Sequence, residues 1–250
     1  MNLESTIKKA SQKLKKNNII SYALDSQIIL ADIMGVTRES LIINNHVNIS
    51  ARIVEKYDKA IKRRINSEPI AYITGKKEFW SENFIVNKST LVPRPETELL
   101  IYELVDIFKN KKINILDVGT GTGCILISLL KELCNSRGTG IDISSGAIRT
   151  ARINSKNLNL VNRVKFKNFN LNGYNLGRYD LIVSNPPYIP SKDIRKLSKD
   201  IINFEPKEAL DGGADGLDLI KKVIHKSNIL LKRNGILALE IGFSQYRRVS

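Results

Sequence analysis

After Lys112 the chain alternates short apolar runs with amphipathic stretches, and this alternation narrows the possible fold more than any other feature. Strand-like runs cover residues 113–118, 139–143, 163–169, 179–184 and 235–241. Helical patterns cover residues 123–134, 146–158 and 217–231. Strands that alternate with helices need crossover connections, so they build a mostly parallel, doubly wound sheet covered on both faces. The fold class is therefore α/β. In such sheets ligands bind beyond the carboxyl ends of the strands, where the strand order reverses. The residues that follow each strand are thus the ones to read for chemistry.

The first part of the chain has a different texture. Ile7, Leu14, Leu24, Ile28, Ile29, Ala31 and Ile33 have helical spacing. Ser50 can cap a helix running to Ile65. Residues 1–67 read as a small helical domain. Residues 68–95 read as a β-hairpin linker, with a turn at Gly75-Lys76-Lys77 followed by the extended Pro93-Arg94-Pro95. A helix opened by Glu96 or Thr97 runs on through Leu104 and Ile107, starting the larger domain, 96–250.

Composition sets limits. Of 250 residues, 42% are hydrophobic and 26% charged, which suits a globular chain. No apolar run approaches the ~20 residues that span a bilayer, and no signal-peptide core follows the N-terminus, so a cytoplasmic protein without a membrane span is expected. The formal net charge is +15. Residues 1–80 carry 14 Lys/Arg against 8 Asp/Glu, and residues 81–250 carry 26 against 17. An excess spread this evenly favours a solvated basic surface over a nucleic-acid-binding tail. Cys124 and Cys134 have no metal-site or disulfide spacing and read as packing residues on one helix. His46 reads as a surface residue and His225 as a structural one, so no metal is expected.

Two motifs carry chemistry. The first, Asp117-Val-Gly-Thr-Gly-Thr-Gly123, closes the first strand of the alternating region. Gly119, Gly121 and Gly123, with Thr120 and Thr122 between them, let the backbone pass close to a ligand and turn into a helix. Asp142 ends the next strand, nineteen residues on. A carboxylate there can accept from both ribose hydroxyls of an adenosine; the competing role, capping the next helix, can fall to Ser144. A dinucleotide site usually reads G-x-G-x-x-G. The G-x-G-x-G spacing after Asp117 instead resembles the first motif of S-adenosylmethionine-dependent methyltransferases.

The second motif, Ser184-Asn-Pro-Pro-Tyr-Ile-Pro190, ends the fourth strand on the same sheet edge. Asn185 offers a carbonyl acceptor and an NH₂ donor. Pro186 and Pro187 offer carbonyls with no N–H. Tyr188 offers a flat face for stacking. Together they suit a planar substrate bearing an NH₂ group, with Asn185 Oδ1 and the Pro186 carbonyl accepting its two hydrogens. Catalytic roles therefore fall to Asn185, Pro186 and Tyr188, and Asn185 also faces the cofactor.

These motifs, in this order, resemble those of the N(5)-glutamine methyltransferases of peptide chain release factors, the PrmC/HemK family. Residues 92–100, VPRPETELL, and 204–220, FEPKEALDGGADGLDLI, are similar to that family's flanking segments. The resemblance spans nearly the whole chain. It implies a Rossmann-like S-adenosylmethionine-dependent methyltransferase sheet with an N-terminal helical domain that docks the release factor. It implies S-adenosylmethionine held by residues 119–123 and Asp142. It implies the glutamine of a Gly-Gly-Gln motif held by Asn185, Pro186, Pro187 and Tyr188, with Arg94 and Glu96 walling the cleft. The Asn-Pro-Pro-Tyr motif is shared with methyltransferases of adenine and cytosine amino groups, which are the alternative. A non-catalytic protein keeping the fold is the other. Two departures stand out. Asn170 and Leu171 occupy the place where the family has an Asp and an aromatic residue near the adenine. The fold also normally adds two strands beyond the fifth, so the last strands are expected to be missing here.

Overall fold

The computed structural model describes residues 2–44 and 46–250. The chain divides into two compact units, Met1–Gly75 with Ser198–Phe204, and Lys76–Leu197 with Glu205–Ser250.

The first unit is helical: α1 (Leu3–Lys16), α2 (Tyr22–Met34), α3 (Arg38–Ile43), α4 (Ala51–Ile65) and α5 (Ile70–Thr74). Asn2, Thr37 and Ser50 cap α1, α3 and α4 by accepting from backbone N–H groups three residues on. The core gathers Leu3, Leu14, Ile29, Leu30, Leu41 and Ile61 around Tyr57. Tyr57 donates its hydroxyl to the Ser26 carbonyl at 2.8 Å, so its one polar atom is satisfied inside the core. His46 is exposed beyond α3.

The second unit opens with an antiparallel hairpin, β1 (Lys76–Phe79) and β2 (Glu82–Ile85). Its turn is not Gly75-Lys76-Lys77. Trp80 and Ser81 make the turn, both at positive φ (50° and 58°), as two-residue hairpin turns require. Gly75 instead ends α5 in a left-handed conformation, and residues 70–74 are helical rather than extended. The apolar spacing of so short a segment fits either period.

There follow α6 (Glu98–Phe108), β3 (Asn114–Val118), α7 (Cys124–Glu132), β4 (Arg137–Asp142), α8 (Ser145–Asn157), β5 (Val164–Asn168) and β6 (Tyr179–Ser184). Then come α9 (Lys199–Phe204), which belongs to the first unit, α10 (Asp218–Leu230), β7 (Leu231–Leu239) and α11 (Tyr246–Val249). The five strands β3 to β7 form one parallel sheet in the order β5-β4-β3-β6-β7. Alternate residues feed two cores. Ile115, Leu181 and Val183 pack with Ile101, Leu126 and Ile148 on one face. Leu116, Val118 and Ile182 pack with Val223 and Leu230 on the other. This is the doubly wound α/β arrangement read from the sequence. The final strand starts earlier than its apolar run, at Leu231, with a register shift opposite β6 between Tyr179 and Leu181.

Two cysteine and histidine readings change. Cys134 lies past the end of α7 and is exposed, so only Cys124 is partly enclosed. His225 is on an exposed face of α10 and packs into no core.

One buried side chain ties the hairpin to the glycine loop. Asn154 of α8 is 1% exposed. It accepts from the Ile85 N–H at 2.8 Å and donates to the carbonyls of Ile85 (3.0 Å) and Thr122 (2.9 Å). Asn154→Ala leaves these backbone groups without their partner, each worth about 1–3 kcal/mol when buried. Urea denaturation should show the variant destabilised by roughly 2–4 kcal/mol.

Candidate active site

The strand order reverses between β3 and β6, and a cavity of about 610 Å³ opens beyond their carboxyl ends. That volume suits a small-molecule site. Residues 89–94 form one wall, and residues 118–122, 141–144 and 169–172 form others. Thr97, Asn185, Pro187, Glu208 and Lys222 are among the other residues that line it.

The glycine loop is shaped to receive a ligand. Gly119 and Gly121 have φ of 73° and 55°, which β-carbon-bearing residues rarely adopt. No atom lies within 4 Å of where a Gly119 Cβ would stand, so the space above that backbone is open. Asp142 is anchored beside the loop. Its Oδ2 accepts from the Gly121 N–H at 3.0 Å and its Oδ1 from the Ser144 N–H at 2.8 Å. Each oxygen keeps a lone pair for a ribose hydroxyl. Ser144 Oγ supplies the cap of α8, accepting from the Ala147 N–H, so Asp142 is not needed for that role. Burial raises the Asp142 carboxyl from its ordinary value, and the N–H groups of Ser144 and Gly121 act against that. An open glycine cradle beside a fixed carboxylate fits the adenosyl group of S-adenosylmethionine.

Asp117 lies under the loop and is fully buried. Its Oδ2 accepts from Thr120 Oγ1 at 2.6 Å, while Oδ1 has no partner among the described residues. Burial pushes this carboxyl up to about 7, against the pull of the Thr120 hydroxyl. On another wall of the cavity, Asn170 is exposed and its Oδ1 accepts from the Asn172 N–H at 3.0 Å, capping a turn. Leu171 is buried beside it.

At the end of β6, Asn185 donates through Nδ2 to Thr97 Oγ1 at 3.1 Å. Thr97 Oγ1 is 2.6 Å from Glu240 Oε2, and Tyr188 donates its hydroxyl to Glu240 Oε1 at 3.3 Å. Burial first, then the Glu240 charge, raises the Tyr188 phenol above its ordinary value, so it keeps its proton.

The flanking motifs are structural partners of this loop. Glu205 of the Phe-Glu-Pro segment is 6% exposed. Its Oε1 accepts from Arg94 Nη2 at 2.7 Å and its Oε2 from the Val92 N–H at 3.3 Å, so it braces the wall at 89–94. The Leu-Asp-Gly-Gly segment runs beside Ile189, with the Gly212 N–H donating to the Ile189 carbonyl at 2.8 Å. A Cβ on Gly212 would come within 2.8 Å of the Pro187 carbonyl, so only glycine allows this approach.

Of the residues named from the sequence, Gly119, Thr120, Gly121, Thr122, Asp142, Asn170, Leu171, Asn185, Pro187 and Arg94 line the cavity. Gly123 does not; a Cβ there would meet Ile127, Phe166 and Ala151, so it faces the core. Pro186 is buried behind Asn185, Tyr188 is half-buried outside the lining, and Glu96 is exposed. Sequence reading missed Thr97, Glu205 and Glu240. The first two stand inside quoted motifs. Glu240, at the end of an apolar strand, was the only acidic residue in that run and so the one available signal. Among the described residues no group of three metal-ligating side chains occurs, and no helix is long and apolar enough to cross a membrane.

Comparison with known proteins bears on this geometry. A PrmC N-terminal domain model matches residues 5–75, and a methyltransferase small domain model matches residues 95–213. The release factor glutamine methyltransferase of Buchnera aphidicola subsp. Schizaphis graminum is 39% identical over 249 residues, covering 100% of this chain and 89% of its own. That of Caulobacter vibrioides is 36% identical over 242 residues, covering 96% of this chain and 84% of its own. The chain belongs to the release factor glutamine methyltransferase family. S-adenosylmethionine is the cofactor of this family. The chain is also 37% identical over 267 residues to the bifunctional methyltransferase of Rickettsia typhi, covering 99% of this chain. It spans only about half, 52%, of that relative's length.

The Asp117 carboxyl gives a pH test. Its folded pKa of about 7 lies above its ordinary 3.8, so the folded state binds the proton more tightly. Stability from this group is therefore lost as pH rises from about 4 to about 7, and changes little above that. Asp117→Asn removes the titration. Differential scanning fluorimetry should show the variant's Tm gaining on the wild type across that window and the gain levelling off above it.

Proposed function

We propose that this protein transfers a methyl group from S-adenosylmethionine to the side-chain amide nitrogen of the glutamine in the Gly-Gly-Gln motif of a peptide chain release factor. The observation that carries the reading is Asn185, held on the cavity wall at the sheet's switch point beside the glycine cradle. When bound, the cofactor supplies an electrophilic methyl on a sulfonium. The chain's own residues make the amide able to accept it. An amide nitrogen is a poor nucleophile because its lone pair is delocalised. Asn185 Oδ1 accepts one N–H, and a carbonyl of the proline pair accepts the other. Fixing both N–H directions favours a pyramidal nitrogen and strengthens both bonds as positive charge grows there. The proton leaves after the new N–C bond has formed, so no strong base is needed beforehand. Tyr188, Pro187 and Arg94 shape the entrance, with Glu96 at its exposed rim. The helical unit docks the release factor, and the reaction takes place in the cytoplasm. The PrmC N-terminal model over residues 5–75 supports a protein substrate over a nucleic acid.

Tritiated S-adenosylmethionine offered with a release factor, its Gln→Ala variant and total RNA or DNA tests the reading. Label on the intact release factor alone is expected; label on nucleic acid and none on protein would sink it. Asn185→Ala should lower kcat by about 10²-fold and leave cofactor affinity nearly unchanged by calorimetry. Asp142→Ala should do the reverse, weakening cofactor binding by about tenfold or more, as expected for lost hydrogen bonds to a charged group.

A further inference from the structure

The Asn185 side chain could be seated two ways, since its carbonyl and NH₂ ends have nearly the same shape. One orientation presents an acceptor to the cavity and the other presents a donor. Only the first can hold a substrate N–H. The neighbours decide between them through a chain of donor and acceptor requirements.

Glu240 is the fixed point. Its backbone N–H donates to the Ser184 carbonyl at 3.0 Å, which seats it against the residue preceding Asn185. A carboxylate oxygen only accepts. Glu240 Oε2 lies 2.6 Å from Thr97 Oγ1, so the single hydroxyl proton of Thr97 is directed at it. Thr97 is 2% exposed, so water does not compete for that proton. Its oxygen then has only lone pairs to offer Asn185, 3.1 Å away. The group facing Thr97 is therefore the Asn185 NH₂, and Oδ1 points the other way. The second oxygen of Glu240 accepts from the Tyr188 hydroxyl, so one carboxylate sets both ends of the Asn-Pro-Pro-Tyr loop.

We infer that Thr97 and Glu240 are positioning residues that lock the Asn185 amide with its carbonyl toward the substrate, and so select a group bearing N–H over one bearing only acceptors. This deepens the proposed function and rests on it for the identity of the substrate. It adds the source of the discrimination between an amide and a carboxylate. A glutamate in place of the substrate glutamine has no N–H to give and meets the same oxygen.

The test uses the full chain with Thr97→Val, which replaces the hydroxyl by a methyl, and Thr97→Ser, which restores the hydroxyl. Nitrogen-15 NMR of the cofactor-product complex, loaded with S-adenosylhomocysteine, reads the Asn185 Nδ2 protons, assigned by their loss in Asn185→Asp. One of them should be protected from solvent exchange in the wild type and in Thr97→Ser, and protection should vanish in Thr97→Val. Calorimetry with a release factor and its Gln→Glu variant reads selectivity. The wild-type preference for Gln should narrow by about tenfold in Thr97→Val, the loss of one good hydrogen bond, and should return in Thr97→Ser. The kcat for methyl transfer should fall by about 10- to 100-fold in Thr97→Val, with a smaller change in KM. Equal protection in all three proteins, or an unchanged Gln-to-Glu preference, would overturn the inference. Because the NMR signals do not depend on the acceptor, a protected amide without transfer to the release factor would fault the substrate assignment alone.

Discussion

The parallel register of β3 between β4 and β6 is the constraint on which the site depends. Asp117 of β3 stands opposite Gly140 of β4 and Val183 of β6. With all three strands in step, their carboxyl ends finish on one edge, and the glycine loop, Asp142 and Asn185 emerge together. A buried hydroxyl reinforces this. Ser184 donates Oγ to the Val118 carbonyl at 2.6 Å, joining the residue before the glycine loop to the residue before Asn185. Apolar side chains on both faces hold the register, because a one-residue slip would exchange the residues of the two cores.

Around that edge, a few buried polar side chains do what the sheet alone cannot. Asn154 fastens the hairpin to the glycine loop. Glu205 fastens the wall at 92–94. Glu240 joins Thr97 to Tyr188. The bonded residues lie from 32 to 143 positions apart along the chain, and each bond is directional, which apolar packing is not. The sheet brings the segments near one another, and these contacts decide which atom of each faces the cavity. The selectivity proposed for the site resides in the orientation of one amide, that of Asn185.

Much of this was legible in the sequence. The five strands, their helices and the caps follow local rules of period and hydrogen bonding, which act within a few residues. The glycine loop and Asp142 were legible because a strand end fixes where they stand. The hairpin turn was misplaced because Gly75 serves equally well as a turn residue and a helix end, and only the pairing of Lys76 with Ile85 separates the two. In the sequence Gly123 continues the glycine motif and so reads as part of the cofactor loop. Its neighbours Phe166 and Ala151 come from other elements and turn it toward the core. The helical pattern of the sequence runs through Cys134 and makes it read as a packing residue, whereas α7 ends at Glu132.

The sequence by itself determined the alternating α/β order, the strand-end motifs and the donors and acceptors they carry, since these rest on local backbone preference and side-chain chemistry. It also carried the family resemblance that the comparisons bear out. Only the tertiary structure decided which residues line the cavity, why the Arg-Pro-Glu-Thr and Phe-Glu-Pro segments accompany Asn-Pro-Pro-Tyr, and which way the Asn185 amide faces. The physical reason is reach. A hydrogen bond acts over about 3 Å, and no local pattern tells Thr97 that Glu240 will stand beside it.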